Sequence, residues 1–343
     1  MVNMTRTRLV FMCIGLFFLL VVSLSFGFGL FLVSPANKEG VNQVFVVKEG
    51  SSLKEVAGEL EKGGLITNKT LFVLWARVKG YGKGVRAGEY SLSPAMAPIQ
   101  LLEILRKGLV ILHAVTIPEG FTRHQIADLL EAKGLADKKH FLELTQDEAL
   151  LRQYGISGPS LEGYLFPDTY HFSRGTPTLA IIDTMVRRFR QEVTPLMEQA
   201  RGTGTKFENV VILASIVEKE TGRPEERPLI ASVFLNRLRL GMRLESDPTV
   251  IYGMENFKGN LKKGDLMERT PYNTYVIHGL PPGPIANPGL DSIKAVIDPA
   301  RSDYLYFVSK NDGSHHFSKT LAEHNRAVEV YQKRRGKMPP KSS

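Results

Sequence analysis

The sequence predicts an α+β protein that carries a single N-terminal transmembrane helix. Three observations support this fold class: an uncharged apolar run near the N-terminus, a strand-and-helix segment that occurs twice, and a C-terminal half that mixes long helical periods with a hairpin pattern. At 343 residues the chain is longer than one typical domain. The predicted boundaries are a cytoplasmic tail at 1–8, the transmembrane helix at 9–33, a linker at 34–43, one subdomain at 44–112, a second at 113–175, an α+β domain at 176–332 and a basic tail at 333–343.

The apolar run contains no charged residue from Leu9 to Val33. A helix of about 25 apolar residues is long enough to cross a hydrocarbon core of about 30 Å. Arg6 and Arg8 precede the run, so the positive-inside rule predicts a cytoplasmic N-terminus, with everything after Ser34 on the far side of the membrane. The alternative is a cleaved signal peptide, but the apolar core is too long and lacks an Ala-x-Ala exit, which favours an uncleaved anchor.

Charge and cysteine content restrict the expected partners. The net charge is +9, and the basic tail from Lys333 is either a solvated end or a contact for anionic lipid or an acidic polymer. The single cysteine, Cys13, lies within the apolar run, so no disulfide is expected within the chain. The sequence has no helix-turn-helix, RNA-binding or zinc-finger pattern, and nucleic acid is not expected as a partner.

The repeated segment comprises residues 45–65 and 115–135. Each copy has the pattern of a strand, a Glu-Gly turn that contains Glu49 or Glu119, and a helix that ends at Gly64 or Gly134. Two capping boxes open the helices: Ser52 with Glu55, and Thr122 with Gln125. Two copies are too few for a solenoid, so the pattern indicates a duplicated strand-helix unit.

The first copy continues into a predicted second helix, "NKTLFVLWARVKG", and a predicted strand, "VRAGEYSLSP". A strand-helix-helix-strand order of this size resembles a LysM module, which binds the N-acetylglucosamine-rich glycan of cell walls. The resemblance depends on the order of elements and on no binding residue. Glycan binding by this LysM-like subdomain is left open, because fold does not imply function.

In the C-terminal half, one carboxylate lies on an apolar helix face. In "ILASIVEKETG", residues 212–222, about 100° per residue places Glu218 on the face of Ala214 and Ser215, whose small side chains leave room for a cleft. Apolar surroundings and a helix terminus near Gly222 favour the neutral carboxyl group that a general acid needs. Glu220 falls on the other side and is predicted to be a solvated surface charge. The alternative for Glu218 is a rim residue paired with a nearby cation: Lys219, Arg223 or Arg227.

Four motifs follow one another along the chain: "SLEGYLFPDTY" at 160–170, "ILASIVEKETG" at 212–222, "RLRLGMRLESDPTVIYG" at 237–253 and "TPYNTYVIHGLPPGPIANPG" at 270–289. Together they closely resemble the endolytic murein transglycosylase family, also called MltG or YceG-like, and the resemblance covers nearly the whole chain. It implies a single-pass enzyme of the bacterial inner membrane, with its bulk in the periplasm, that cuts peptidoglycan glycan strands internally. It also implies that Glu218, the first Glu of "IVEKET", is catalytic and that peptidoglycan synthases are partners.

One carboxyl group suffices for such a reaction. In the reaction that the resemblance implies, the protonated Glu218 is expected to donate its proton to the glycosidic oxygen between N-acetylmuramic acid and N-acetylglucosamine, and then to take a proton from the muramic acid 6-hydroxyl. That hydroxyl closes onto the anomeric carbon and leaves a 1,6-anhydro end. Ordinary glycosidases need a second carboxylate as nucleophile or water activator, whereas here the hydroxyl of the substrate replaces the water.

Polar and aromatic residues of the four motifs are predicted to bind the substrate. Tyrosines stack on sugar faces and asparagines bond N-acetyl or hydroxyl groups, although packing roles are alternatives. Asp247, followed by Pro248, is predicted to cap a helix, and a role as second carboxylate stays open. "GLPPGPIANPG" is predicted to form an ordered loop at the cleft. The predicted substrate-binding residues are Glu162, Ser215, Asp247, Thr249, Tyr252, Tyr272, Asn273, Tyr275 and Asn287.

Neither a metal nor a cofactor is predicted. His315, His316 and His324 are considered as metal ligands. His315 and His316 point opposite ways on a strand, and no third ligand has convincing spacing. Two rival functions remain. One is a hydrolytic muramidase in which Asp247 activates water, and the other is a non-catalytic anchor that holds wall-synthesis proteins against glycan.

Overall fold

The computed structural model describes residues 2–48, 50–81, 85–199, 206–254, 257 and 259–333. The chain divides into two compact units. Unit 1 comprises Met1–His113 and His171–Thr176, and unit 2 comprises Ala114–Tyr170 and Pro177–Ser343. The basic tail predicted at 333–343 lies outside the described residues after Lys333.

The first element is a long apolar helix, α1, at Val2–Val33. Its apolar segment runs from Arg8 to Val33, 26 residues, and contains an 18-residue window with mean hydropathy 2.8, none of which is buried within the protein. By length and composition the helix can cross a membrane. The apolar helix predicted from the sequence is therefore confirmed, and it begins at Val2, before the predicted start at residue 9.

Unit 1 contains β1 (Gln43–Val47), α2 (Leu53–Lys62), α3 (Lys69–Val78), β2 (Gly88–Leu92) and α4 (Pro98–Lys107). β1 and β2 are antiparallel, with Gln43 opposite Leu92. The core of the unit is formed by fully buried side chains such as Leu60, Phe72 and Tyr90. The elements follow the strand-helix-helix-strand order, while α4 adds a helix for which no prediction was made. The LysM likeness of this unit stays a prediction.

The chain continues with β3 (His113–Thr116), α5 (Arg123–Ala132), α6 (Lys138–Leu144), α7 (Glu148–Gln153) and β4 (Thr169–Phe172), and β3 pairs with β4. It ends with the helices α8 (Thr178–Gln199), α9 (Phe207–Glu220), α10 (Arg227–Arg239), α11 (Asp247–Gly253) and α12 (Leu290–Ile297), the hairpin strands β5 (Tyr306–Ser309) and β6 (His315–Ser318), and the helix α13 (Leu321–Val328). The mixed α+β class and the terminal strand-hairpin-strand-helix order are confirmed.

Both predicted capping boxes are present. The Ser52 and Thr122 hydroxyls accept the backbone N–H groups of Glu55 and Gln125, and those two side chains accept the cap N–H groups in return. Gly64 and Gly134 then take left-handed φ values of +68° and +64°, as the ends of the helices require. Glu49, the counterpart of Glu119 in the first copy, lies outside the described residues.

Helix α9 forms the centre of unit 2. It is apolar on almost every face, so Val210 to Val217 are all buried, and it packs against α10 and α12. The helix ends at Glu220 because Thr221 has extended backbone angles. Its last turn therefore brings the carboxylates of Glu218 and Glu220 to the end of a buried element.

Candidate active site

The carboxylate of Glu218 lies at the end of α9 and accepts three hydrogen bonds. Its Oε2 accepts from the Gly289 N–H at 3.0 Å and from the Ser292 hydroxyl at 2.6 Å. Its Oε1 accepts from Nη2 of Arg227 at 3.2 Å, and the side chain is 6% exposed. Glu218 thus lies on the buried face, as predicted, and it also has the arginine partner that the alternative interpretation proposed.

The guanidinium of Arg227 serves more than one carboxylate. Arg227 is the first residue of α10, and its Nη2 is also 3.3 Å from Oε2 of Glu119, whose side chain is 48% exposed. Its Nη1 lies 3.8 Å from the carboxylate of Asp291. Burial, and next the negative charge of Glu218, raise the pKa of Glu119, and Arg227 opposes that rise. Glu119, Arg227 and Ser292 were not among the predicted site residues, and Glu119 was noted only as part of the repeated Glu-Gly turn.

Two glycines allow this close approach of charged groups. Gly120, at φ +73°, donates its N–H to the Asn287 carbonyl at 2.9 Å, and the Asn287 N–H donates to the Phe121 carbonyl at 2.9 Å. Gly289 is the N-cap of α12 with an ordinary φ of −72°, but a β-carbon there would overlap the Glu119 carboxylate. The turn that carries Glu119 is therefore paired to the loop that carries Gly289.

Residues 279–289 form neither helix nor strand, and their C-terminal part from Gly283 to Gly289 is buried, as predicted for an ordered loop. Ser215, in α9, anchors this loop: its hydroxyl donates to the Ile212 carbonyl at 2.7 Å and accepts the Ile285 N–H at 3.0 Å. Ser215 is fully buried, so in this structure it holds the loop from inside.

Glu162 and Asn287 form a buried network below the loop. Glu162 is 1% exposed and accepts from the Arg123 N–H at 2.9 Å, from Nδ2 of Asn287 at 2.8 Å and from the Tyr252 hydroxyl at 3.1 Å. Burial raises the pKa of Glu162 to about 7, and these donors act in the opposite direction. Oδ1 of Asn287 accepts two further backbone N–H groups, from Gly163 and Leu165, each at 2.9 Å.

Tyr252 and Tyr272 line a groove of about 930 Å³. Their rings meet edge to face, with centroids 4.8 Å apart. Arg123, His124 and Lys219 also line this groove, and Lys219 is the neighbour of Glu218 in the chain. Nζ of Lys219 donates to the Gly120 carbonyl at 3.3 Å. The groove therefore combines aromatic faces with cationic groups next to the end of α9.

Asp247 does not cap α11 as predicted. The helix begins at Asp247 itself, and Ser246, with φ −102° and ψ 120°, occupies the N-cap position. The Asp247 carboxylate accepts instead from the Tyr275 hydroxyl at 2.7 Å. Asp247 and Tyr275 line a second cavity, of about 430 Å³, which is distinct from the groove of Tyr252 and Tyr272.

The prediction that Glu220 is a solvated charge is wrong. Its side chain is partly buried, lines the second cavity and accepts from the Ser246 hydroxyl at 2.5 Å. Burial raises the pKa of Glu220 to about 7, and the negative charge of Asp247 acts in the same direction. The helical wheel failed here because the segment before α11 folds over the end of α9, which a single helix cannot reveal.

Thr249 and Asn273 are fully buried. The Thr249 hydroxyl donates to the Ser246 carbonyl at 2.6 Å and lies 2.8 Å from the Thr274 hydroxyl. Nδ2 of Asn273 donates to the carbonyls of Leu266 and Glu268 at 3.1 and 2.7 Å. Their polar atoms are therefore occupied by partners within the chain.

The three histidines considered for a metal lie in separate surroundings. Nδ1 of His315 is 2.6 Å from the carboxylate of Glu226, the His316 ring lies against Tyr331, and the His324 ring stacks on Tyr306. Within the described part of the chain, no group of three His, Cys, Asp or Glu side chains is arranged to hold a metal ion.

The site can be compared with known proteins. A model of the YceG-like family matches residues 45–330. An endolytic murein transglycosylase of Bacillus subtilis is 33% identical over 329 residues, which cover 91% of each chain. One from Streptococcus pneumoniae is 32% identical over 314 residues, which cover 82% of this chain and 57% of the longer relative. A crystal structure of a YceG-like protein from Listeria monocytogenes, 34% identical, superimposes with a TM-score of 0.59 over 84% of this chain and 100% of that one. The chain therefore belongs to the YceG-like family.

Proposed function

We propose that this chain is an endolytic murein transglycosylase that cleaves glycan strands of peptidoglycan between N-acetylmuramic acid and N-acetylglucosamine. Glu218 carries the proposal: its carboxylate lies at the end of a buried helix and is fixed by Gly289, Ser292 and Arg227. The relatives named as endolytic murein transglycosylases support it, because they are about one third identical over most of the chain.

The contacts of Glu218 support a proposal for the oxygen that delivers the proton to the substrate. Oε2 accepts from Gly289 and Ser292 and is held in place, whereas Oε1 faces only Arg227 among its hydrogen-bond partners in the described residues. We assign the proton to Oε1, which becomes free when the contact with Arg227 opens. The proton passes to the leaving 4-oxygen of N-acetylglucosamine as the bond from that oxygen to the anomeric carbon breaks. The 6-oxygen of muramic acid then bonds to the anomeric carbon and returns its proton to Glu218, so no water is consumed.

The groove lined by Tyr252 and Tyr272 is the proposed site for the sugar rings, because aromatic faces pack well on sugars. The five buried members of the predicted set act on the substrate through the loops that they hold: Glu162, Ser215, Thr249, Asn273 and Asn287. Asp247 and Tyr275 lie in the second cavity, so we do not assign Asp247 as the water activator that a muramidase would need.

The wider setting is also proposed. α1 would anchor the chain in the inner membrane of a bacterium, with the N-terminus in the cytoplasm and both units in the periplasm. Peptidoglycan synthases are the proposed protein partners. The LysM-like subdomain is a candidate for a second contact with the glycan.

Incubation of the full chain in detergent with intact peptidoglycan tests the proposal, with the released ends identified by mass spectrometry. Glu218→Gln should lose at least a hundredfold in rate, because a general acid contributes about 10²–10⁴-fold. Glu220→Gln, in the same motif, is the matched control and should still release 1,6-anhydro ends. Reducing ends from the parent would indicate a hydrolase. Retained glycan binding without cleavage would support the non-catalytic anchor.

A further inference from the structure

One guanidinium is shared by two carboxylates of unequal exposure. Nη2 of Arg227 lies 3.2 Å from Oε1 of Glu218 and 3.3 Å from Oε2 of Glu119. The Glu218 side chain is 6% exposed, while that of Glu119 is 48% exposed and in contact with solvent. Arg227 itself is 8% exposed, and its Nε is buried without a hydrogen-bond partner in the described structure. Because Nε makes no hydrogen bond among the described residues, the Arg227 guanidinium could shift towards Glu119 without breaking a hydrogen bond at Nε.

This sharing matters for acid catalysis. A cation in contact with a carboxylate stabilises the ionised form, whereas a general acid must hold its proton when the substrate arrives. A second carboxylate on the same guanidinium weakens the hold of Arg227 on Glu218. Its own negative charge also opposes ionisation of Glu218. Both effects favour the protonated acid.

We propose that Glu119 is a positioning residue that shares Arg227 with Glu218 and thereby sets the pH range in which Glu218 carries its proton. The proposal relies on the proposed function only for the role of Glu218 as acid. The proposal is supported by the distances between the side chains of Glu119, Arg227 and Glu218. The loop that ends at Gly289 supports it too, because it holds these side chains close together.

Four charged groups lie around Glu218 and its partner Arg227. Arg227 comes from α10, Glu119 from the turn before α5, Asp291 from α12 through its 3.8 Å contact with Arg227, and Lys219 from α9 itself. The ammonium of Lys219 points to the Gly120 carbonyl. Glu119 is thus the only one of these groups, among the described residues, that both carries negative charge and shares Nη2 of Arg227.

Gly289 offers a way to move Glu119 without changing any charge. Its φ of −72° suits alanine, but an added β-carbon would overlap the Glu119 carboxylate, which is the end of a flexible side chain. Gly289→Ala should therefore push Glu119 away from Arg227 and leave the N–H of residue 289 bonded to Glu218.

The test compares the full chain in detergent with Glu119→Gln, Gly289→Ala and Arg227→Gln. Rates of anhydro-end release are measured from pH 4 to 9. In Glu119→Gln and Gly289→Ala, the pH at which kcat falls on the alkaline side should move down by about one unit, with KM nearly unchanged. In Arg227→Gln, the pH at which kcat falls on the alkaline side should move up. Glu143→Gln, which loses an exposed carboxylate paired only with Lys139 in the described structure, should leave the profile unchanged.

A second readout separates this proposal from the proposed function. The full chain is labelled with ¹³C at the glutamate carboxyl carbons, the Glu218 signal is identified by its loss in Glu218→Gln, and its titration is followed by NMR. A downward shift of the midpoint in Glu119→Gln and Gly289→Ala supports the proposal even if the parent releases no anhydro ends. The same midpoint in the parent and both variants would overturn it, even if the parent is active.

Discussion

At the scale of single residues, Glu218 and Glu220 show how two positions in one helix turn receive different environments. Glu218 faces Arg227, Gly289 and Ser292, whereas Glu220 faces the Ser246 hydroxyl and the negative charge of Asp247. The difference has a consequence for stability, because burial raises the pKa of Glu220 to about 7.

Glu220→Gln should stabilise the protein at alkaline pH and not at acidic pH. An unfolded Glu titrates near 4.5, so between that pH and about 7 the folded state keeps a proton that the unfolded state has released. The free energy of unfolding therefore falls as the pH rises through this window, by at most about 3 kcal/mol from Glu220. Glutamine stays neutral and avoids the loss. Thermal unfolding of the parent and of Glu220→Gln at pH 4.5 and pH 8 measures the difference in Tm between them. An equal difference in Tm at both pH values would contradict the prediction.

At the scale of elements, the loop at 279–289 is held by buried hydrogen bonds from three directions. Ser215 holds Ile285 from α9, Asn287 holds the chain at Gly163 and Leu165, and the backbone of Asn287 pairs with the turn at Gly120 and Phe121. The loop ends at Gly289, which donates to Glu218. The hydrogen bonds that hold the loop at 279–289 therefore also help to fix the position of the Glu218 carboxylate.

Asn287→Ala should destabilise unit 2 by about 2 to 4 kcal/mol, because it leaves two buried backbone N–H groups without their acceptor and removes a donor from Glu162. Denaturant unfolding of the full chain, followed through unit 2, gives the change in midpoint. Asn325→Ala, at an exposed position of α13, is the control and should change stability by less than about 0.5 kcal/mol. A loss below about 0.5 kcal/mol in Asn287→Ala, no larger than in the control, would mean that the network around Asn287 contributes little.

At the scale of the whole molecule, the chain combines one exposed apolar helix with two compact units that each have their own buried core. A long exposed apolar surface is unfavourable in water, so the exposed part of α1 is consistent with an anchor.

The proposed orientation can be tested with single cysteines, because Cys13 is the only cysteine of the chain. In a Cys13→Ser background, Lys38→Cys should react with a membrane-impermeant maleimide on intact spheroplasts. Thr5→Cys should react only after lysis, since the positive-inside rule places Arg6 and Arg8 in the cytoplasm. The reverse pattern would mean the opposite orientation, and labelling of both sites before lysis would argue against a membrane-spanning helix.

Local sequence signals predicted many elements correctly. The capping boxes at Ser52 and Thr122, the left-handed glycines and the apolar helix depend on contacts between residues close in the chain, so a short window contains the required information. The position of Glu218 on the buried face of α9 followed from helical periodicity for the same reason.

Contacts between distant segments were not available to such reasoning. Glu119 and Arg227 are 108 positions apart, and Glu218 and Ser292 are 74 apart. Glu220 is partly buried because the segment at Ser246 folds over it. By itself the sequence determined the elements, the family motifs and the candidate acid, since these depend on periodicity and neighbouring residues. Only the tertiary structure decided which charges surround that acid, because the protonation of a carboxyl group depends on groups that the fold brings together.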